Sequence, residues 1–275
     1  TLSVLDQRVQ VTVGLRQQRI QSSNYNSAGV ATSTYDDSKV TPLFGAVLKP
    51  WEHVAFYYNY LEGLSKGDVA PSNAANAGEV FAPYVSKQHE IGVKVDYGTF
   101  MATLALFQIH KPSGELAAGR FSVQGEQRNR GLEFNVLGEV AHGTRLLGGV
   151  TLLDAQLTKT AIATNSGNTP VGVPDVQANL WAEWDTSWVE GLTLTTGAIY
   201  TGSQYVNQAN TQQLDAWTRF DIGARYSTRI AEHPTTLRAT VQNLFDREYW
   251  SGVASYGAFS QGSPRTLLLS ATVDF

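Results

Sequence analysis

Cysteine is missing from all 275 residues. Its absence removes a disulfide framework, thiolate metal sites and cysteine nucleophiles together. Charge is scarce too: Asp, Glu, Lys and Arg make up 16% of the chain, against roughly 25% in soluble domains. Histidine occurs five times. His53, His89, His110, His142 and His233 are scattered, with no HExxH or i, i+4 metal spacing. Neither a GxSxG elbow nor a glycine-rich phosphate loop opening a helix is present. Net charge is −4 and no basic stretch exists, which argues against nucleic acid as a partner. No run of 18 apolar residues occurs, so a transmembrane helix is excluded. Transmembrane strands are not, because each needs only about ten alternating residues. Neither Met nor a signal peptide opens the chain at Thr1, and the sequence is expected to be a processed or cut form.

What the chain does contain is alternation. In TLLLSATVDF (266–275), Leu267, Leu269, Ala271, Val273 and Phe275 interleave with mostly polar residues, so one face is greasy and the other wet. Phe220, Ile222, Ala224 and Tyr226 oppose Arg219, Asp221, Gly223 and Arg225 in the same way. Twelve strands are predicted, at 9–21, 41–48, 54–61, 88–97, 100–110, 127–140, 145–157, 176–186, 192–202, 217–227, 236–245 and 266–275. Their connections alternate in length. Short turns fall at 49–53, 98–99, 141–144, 187–191 and 228–235, and long loops at 22–40, 62–87, 111–126, 158–175, 203–216 and 246–265.

That asymmetry predicts an all-β, antiparallel, up-and-down transmembrane β-barrel, with tight turns on one rim and long loops on the other. A sandwich or propeller has no reason to obey it over so many consecutive connections. Trp51, Tyr97, Trp188 and Tyr226 lie beside the short turns, where an interfacial girdle belongs. The wet parity is expected to carry Arg128, Arg130, Glu133, Glu139, Arg219, Asp221, Arg225 and Arg238 into the lumen, as a solvated wall or against a plug. Long loops rich in Ser, Asn, Gln, Gly and aromatics suit an uncharged or weakly charged organic chelate. Tyr84, Tyr205, Trp217, Trp250 and Tyr256 are the ligand-binding candidates by loop position and chemistry. A complete twelve-strand barrel enzyme, such as a lipase or protease, and a passive channel are the alternatives on residues alone.

Four segments then carry a resemblance. They are PYVSKQHEIGVKVDYG (83–98), GEQRNRGLEFNVLGEV (125–140) with its G-x-x-R-x-R-G-x-E core, VQNLFDREYW (241–250) and GSPRTLLLSATVDF (262–275). Together they resemble TonB-dependent ferric-siderophore receptors of the Gram-negative outer membrane. The resemblance implies that residues 1–275 are the C-terminal portion of a barrel of about 22 strands. It further implies that Phe275 belongs to the signal read by the membrane assembly machinery. Partners implied are a ferric siderophore, outer-membrane lipid, and the TonB complex acting through an N-terminal plug region absent from this chain. No resident cofactor or metal site is implied, the iron arriving as cargo. The family's ligand residues vary with the siderophore, so none is carried over by motif.

Overall fold

The structure is a computed structural model that describes residues 1–255 and 257–275. The chain is almost entirely antiparallel strand. The first half contributes β1 (Leu2–Val4), β2 (Val9–Tyr25), β3 (Ala31–Trp51), β4 (Val54–Ser65), β5 (Tyr84–Asp96), β6 (Phe100–Ala117), β7 (Arg120–Ala141) and β8 (Thr144–Lys159). One turn of 3-10 helix, Ala163–Asn165, follows. The second half adds β9 (Val176–Asp185), β10 (Leu192–Thr201), β11 (Gln204–Tyr205), β12 (Gln213–Leu214), β13 (Trp217–Ile230), β14 (His233–Gln242), β15 (Trp250–Val253), β16 (Phe259–Gln261) and β17 (Thr266–Val273). Thirteen of these form one sheet in the order β1 to β10, β13, β14, β17, while β11–β12 and β15–β16 are separate hairpins within loops. All twelve predicted strands are present, and β1 is an addition.

Contacts divide the chain into two compact units. The first comprises Thr1–Val93, Ala105–Gly131 and Asp154–Thr169; the second comprises Lys94–Leu104, Leu132–Leu153 and Pro170–Phe275.

In the second unit the pairing aligns like with like. One ladder runs Leu146, Ala182, Thr196, Ile222, Val241, Leu267 across six strands. The opposite face carries Arg145, Glu183, Thr195, Gly223, Thr240 and Leu268. Each one-residue step along a strand changes face, so register fixes the aliphatic ladder outward and the largely polar one inward. Leu269, 71% exposed, stands on the aliphatic face opposite Ala239, while Ser270 meets Arg238 on the polar one.

The first unit repeats this pattern. Val9, Val11, Val13 and Leu15 of β2 pair with Leu48, Ala46, Phe44 and Pro42 of β3. The inward face there holds Gln10, Thr12, Gly14 and Arg16.

Two of the predicted long loops are not loops. Residues 22–40 continue β2 and β3 as a ribbon reaching a tip at 26–30, and 111–126 continue β6 and β7 to a two-residue turn. That turn, Ala118–Gly119, has positive φ at both residues, the geometry that matches the right-handed twist of a hairpin. In these extensions the side chains are largely polar on both faces, with Tyr35 and Phe121 covered by the loop 66–83, so the sequence loses its period-2 signal there.

Candidate functional site

The loop-bearing rim of the second unit is built around Asp221. Its carboxylate is 1% exposed and accepts from Arg219 Nη2 at 2.9 Å and from the Asn243 amide at 2.8 Å. Asn243, equally buried, is the hub of the next turn. Its Nδ2 donates to the carbonyls of Arg247 and Ser263, and its Oδ1 accepts from the Arg247 amide. Asn243 and Asp246 both adopt left-handed backbone, which Asn and Asp tolerate better than other non-glycine residues. The Asp246 carboxylate in turn accepts from the Arg265 amide at 2.8 Å. The segment NLFDR thereby closes both ends of the long loop 243–265 onto the wall.

Aromatic packing continues this anchor. Tyr249 stacks on Trp217 with ring centroids 4.4 Å apart. Gly262 lies so close that a Cβ there would come within 2.3 Å of the Tyr249 ring. Neighbouring loops are stitched to this one by main chain. The Gly172 amide donates to the Tyr205 carbonyl at 3.0 Å, and Gly202 donates to Val176 at 2.8 Å. A Cβ on Gly172 would meet the Val253 carbonyl at 2.2 Å, while Gly252 faces the Gln204 side-chain amide. Arg247 Nη2 reaches the Ala216 carbonyl. Segments 170–175, 202–216 and 243–265 are therefore one packed body.

The candidate residues fall into distinct environments. Trp217, 8% exposed, is inside this body, and its buried Nε1 has no hydrogen-bond partner among the described residues. Tyr205 pairs with Gln213 in the β11–β12 hairpin and is half-buried. Trp250, 51% exposed, tilts against the equally open Phe259 across the β15–β16 hairpin. The three are brought into one loop assembly, with Trp250 offering the free ring. Tyr256 lies outside the described residues.

Tyr84 belongs to the first unit and is 7% exposed. Its hydroxyl donates to Asp68 at 2.9 Å. Burial, then this carboxylate, pushes the phenol up to about 12. Around it the loop 66–83 is pinned: Tyr35 donates to the Phe81 carbonyl and accepts from Gly67, while Asn76 exchanges two hydrogen bonds with the main chain of Phe121. Tyr84 therefore fastens that loop.

Among the inward charges, Arg225 forks onto Glu183 at 3.1 and 3.0 Å. Arg145 joins Glu183 to Asp185. Glu133 accepts from Asn135 two residues on, and Asn135 lies over Gly149, which shares a rung with Asn179, Ile199 and Arg219. Glu133, Arg219, Asp221 and Arg225 thus stand on the polar face.

Arg128 and Arg130 do not. The parity that turns Glu133 and Asn135 inward turns 128, 130, 132 and 134 outward along the uninterrupted strand β7. Their partners agree: Arg130 Nε donates to Gln108, two residues from the exposed Leu106, and Arg128 Nη2 donates to Gln156. A three-residue separation from Glu133 precludes a shared face in regular strand. Sequence reasoning also missed Asn243, Tyr249 and Gln204. The adjacency of Asn243 and Asp246 in NLFD was the one available signal, as a pair suited to left-handed turns.

An antiparallel sheet with one aliphatic and one polar face, its strands joined alternately by tight turns and by long connections, is the architecture of an outer-membrane β-barrel wall. The chain belongs to the family described as TonB dependent receptor-like, beta-barrel, which it matches over residues 1–244. It is 44% identical to the "Ferrichrome receptor FcuA" of Yersinia enterocolitica over 100% of this chain and 38% of that protein. It is 32% identical to the "Ferrichrome outer membrane transporter/phage receptor" of Escherichia coli K12, over 98% of this chain and 36% of that one. Among solved structures it is similar to BauA, the ferric preacinetobactin receptor of Acinetobacter baumannii, with TM-score 0.85 and 42% identity over 99% of this chain and 41% of that one. The chain thus spans about two-fifths of the length of these relatives.

Proposed function

We propose that this chain supplies C-terminal lumen wall and extracellular loops of an outer-membrane receptor that binds a ferric siderophore and imports it with TonB-derived energy. The observation that carries this reading is the interlocked loop body presenting Trp250 and Phe259 outward, in a chain whose relatives are receptors for ferrichrome and ferric preacinetobactin. Flat, rigid aromatic area holds a bulky chelate without needing a fixed hydrogen-bond pattern. The rim does no covalent chemistry on its ligand, and iron is cargo held in its chelate. TonB acts through a plug region beyond these residues. Ferrichrome is the first ligand to test, since two of the relatives named above bear that name, and preacinetobactin the second. An iron-starved strain deleted for the receptor should fail to grow on one of these chelates and recover when the gene is restored. Equal growth of deleted and restored strains on every ferric siderophore supplied would overturn the reading.

A further inference from the structure

We propose that the N–H groups of Trp217 Nε1 and Arg219 Nε form a buried subsite, covered by Tyr249, for a neutral carbonyl oxygen of the bound chelate. This rests on the receptor function proposed above and adds the residues that read the polar edge of its ligand.

Both groups are hydrogen-bond donors, both are buried, and neither has an acceptor among the described residues. Such orphans are rare in folded proteins, because each gives up its bonds to water on folding and receives nothing in exchange. Two of them, two residues apart, call for a common cause. Trp217 and Arg219 open β13, where alternate residues share a face about 7 Å apart. Trp217 stands opposite Thr201 and Arg219 opposite Ile199, on the face that also holds Asp221. That spacing lets both N–H groups converge on one acceptor, and a carbonyl oxygen has two lone pairs to receive them.

Neighbouring acceptors are already engaged. Asp221 receives Arg219 Nη2 and the Asn243 amide, and the Ala216 carbonyl receives Arg247. What completes the two donors therefore comes from a guest, and charge decides its kind. Arg219 is paired with Asp221 at 2.9 Å, their side chains 18% and 2% exposed. A carboxylate or phosphate would set a second negative charge beside buried Asp221 with no cation to match it. The carbonyl of an amide or hydroxamate brings lone pairs without that charge. Tyr249 controls entry. Its ring lies on Trp217, and Gly262 approaches it too closely for any side chain to intervene. With the ring in place the indole N–H is closed to solvent. The loop that carries Tyr249 is fastened at Asn243 and Asp246, so entry needs the ring to turn aside and not the loop to detach. A ligand that supplies the acceptor then gains bonds the free receptor lacks, and an analogue without one does not.

The test uses the whole receptor purified in detergent. Trp217 is replaced by benzothienylalanine, which keeps the indole outline and puts sulfur where the N–H was, and separately by Phe (Trp217→Phe). Ferrichrome and ferric preacinetobactin are titrated, and thermal unfolding of the ligand-free protein is followed. Both replacements should weaken binding of the chelate that the wild type takes by about tenfold, the weight of one good hydrogen bond. The sulfur isostere should not lower the unfolding temperature of the ligand-free protein, because the donor it removes has no partner there. A lowered unfolding temperature with unchanged affinity would assign the N–H to an internal water and overturn the proposal. So would a structure of the complex in which Tyr249 still covers Trp217. Absence of wild-type binding to both chelates would overturn the receptor reading together with this one, whereas binding that both replacements leave unaltered would overturn this inference alone. Should Trp217→Phe not assemble, the isostere, which preserves the packing volume, still decides it.

Discussion

Removing the carboxylate of Asp221 should release the 243–265 loop while leaving the strands beneath it paired. Asp221 is almost fully buried and holds two donors, Arg219 Nη2 at 2.9 Å and the Asn243 amide at 2.8 Å. Asp221→Ala strands both: a guanidinium whose Nε already lacks a partner and a buried amide. Breaking a buried pair by removing one member typically costs about 3–5 kcal/mol. Asp221→Asn keeps one acceptor oxygen for the Asn243 amide, but its NH2 then faces the Arg219 guanidinium and that charged hydrogen bond is lost, so about 1.5–3 kcal/mol is expected. Asn243 is itself fastened to Arg247 and Ser263, so the loss should appear first as loop opening. The assay is limited proteolysis of the folded receptor, with cleavage mapped within 243–265, beside thermal unfolding of the barrel. Cutting should accelerate in the order wild type, Asp221→Asn, Asp221→Ala. Wild-type cleavage rates in Asp221→Ala would refute the reasoning, and equal losses of barrel and loop stability would show that the anchor serves the wall instead.

Leu269→Arg should cost about 2–4 kcal/mol near the membrane midplane and Ser270→Arg about 1 kcal/mol or less; equal losses of folded barrel would refute the assigned faces. Trp250→Ala should weaken ferric-siderophore binding about tenfold, an anchor's typical 1.4 kcal/mol or more, with assembly unchanged; unaltered affinity in a binding titration would remove Trp250 from the site. Gly138→Ala should destabilise the barrel by about 1–3 kcal/mol, because that residue has φ of 124° and its Cβ would fall 2.3 Å from the Thr99 carbonyl; thermal unfolding measures it. Tyr84 should make the protein lose stability as pH rises from about 10 to about 12, since its folded-state phenol holds its proton to about 12. The slope should be shallower in Tyr84→Phe.

The wall was legible where one face meets lipid and the other water. Residues 219–226 and 266–273 alternate because burial differs between their faces, and every short turn fell where that pattern broke. The ribbons at 22–40 and 111–126 were read as loops for the converse reason: neither of their faces is consistently apolar, and stretches such as SSNYNSAG carry no period. Arg128 and Arg130 were placed by charge, whereas position along the strand decides what an outward residue meets. In the loop body the exposed Trp250 follows from composition. The burial of Trp217 does not, because it depends on Tyr249 folding back from 32 residues later in the chain.

The stitching of the three loops has an evolutionary corollary. The loops are joined by the Gly172 amide on the Tyr205 carbonyl, by the close approach of Gly172 to the Val253 carbonyl and of Gly252 to the Gln204 side chain, and by Arg247 on the Ala216 carbonyl, backed by the Asn243 hub. The outward rings of Trp250 and Phe259 take no part in these contacts. If the proposed function holds, substitution at those two positions would change the ligand-facing surface while the framework beneath is inherited unchanged, so that ligand preference would drift faster than architecture.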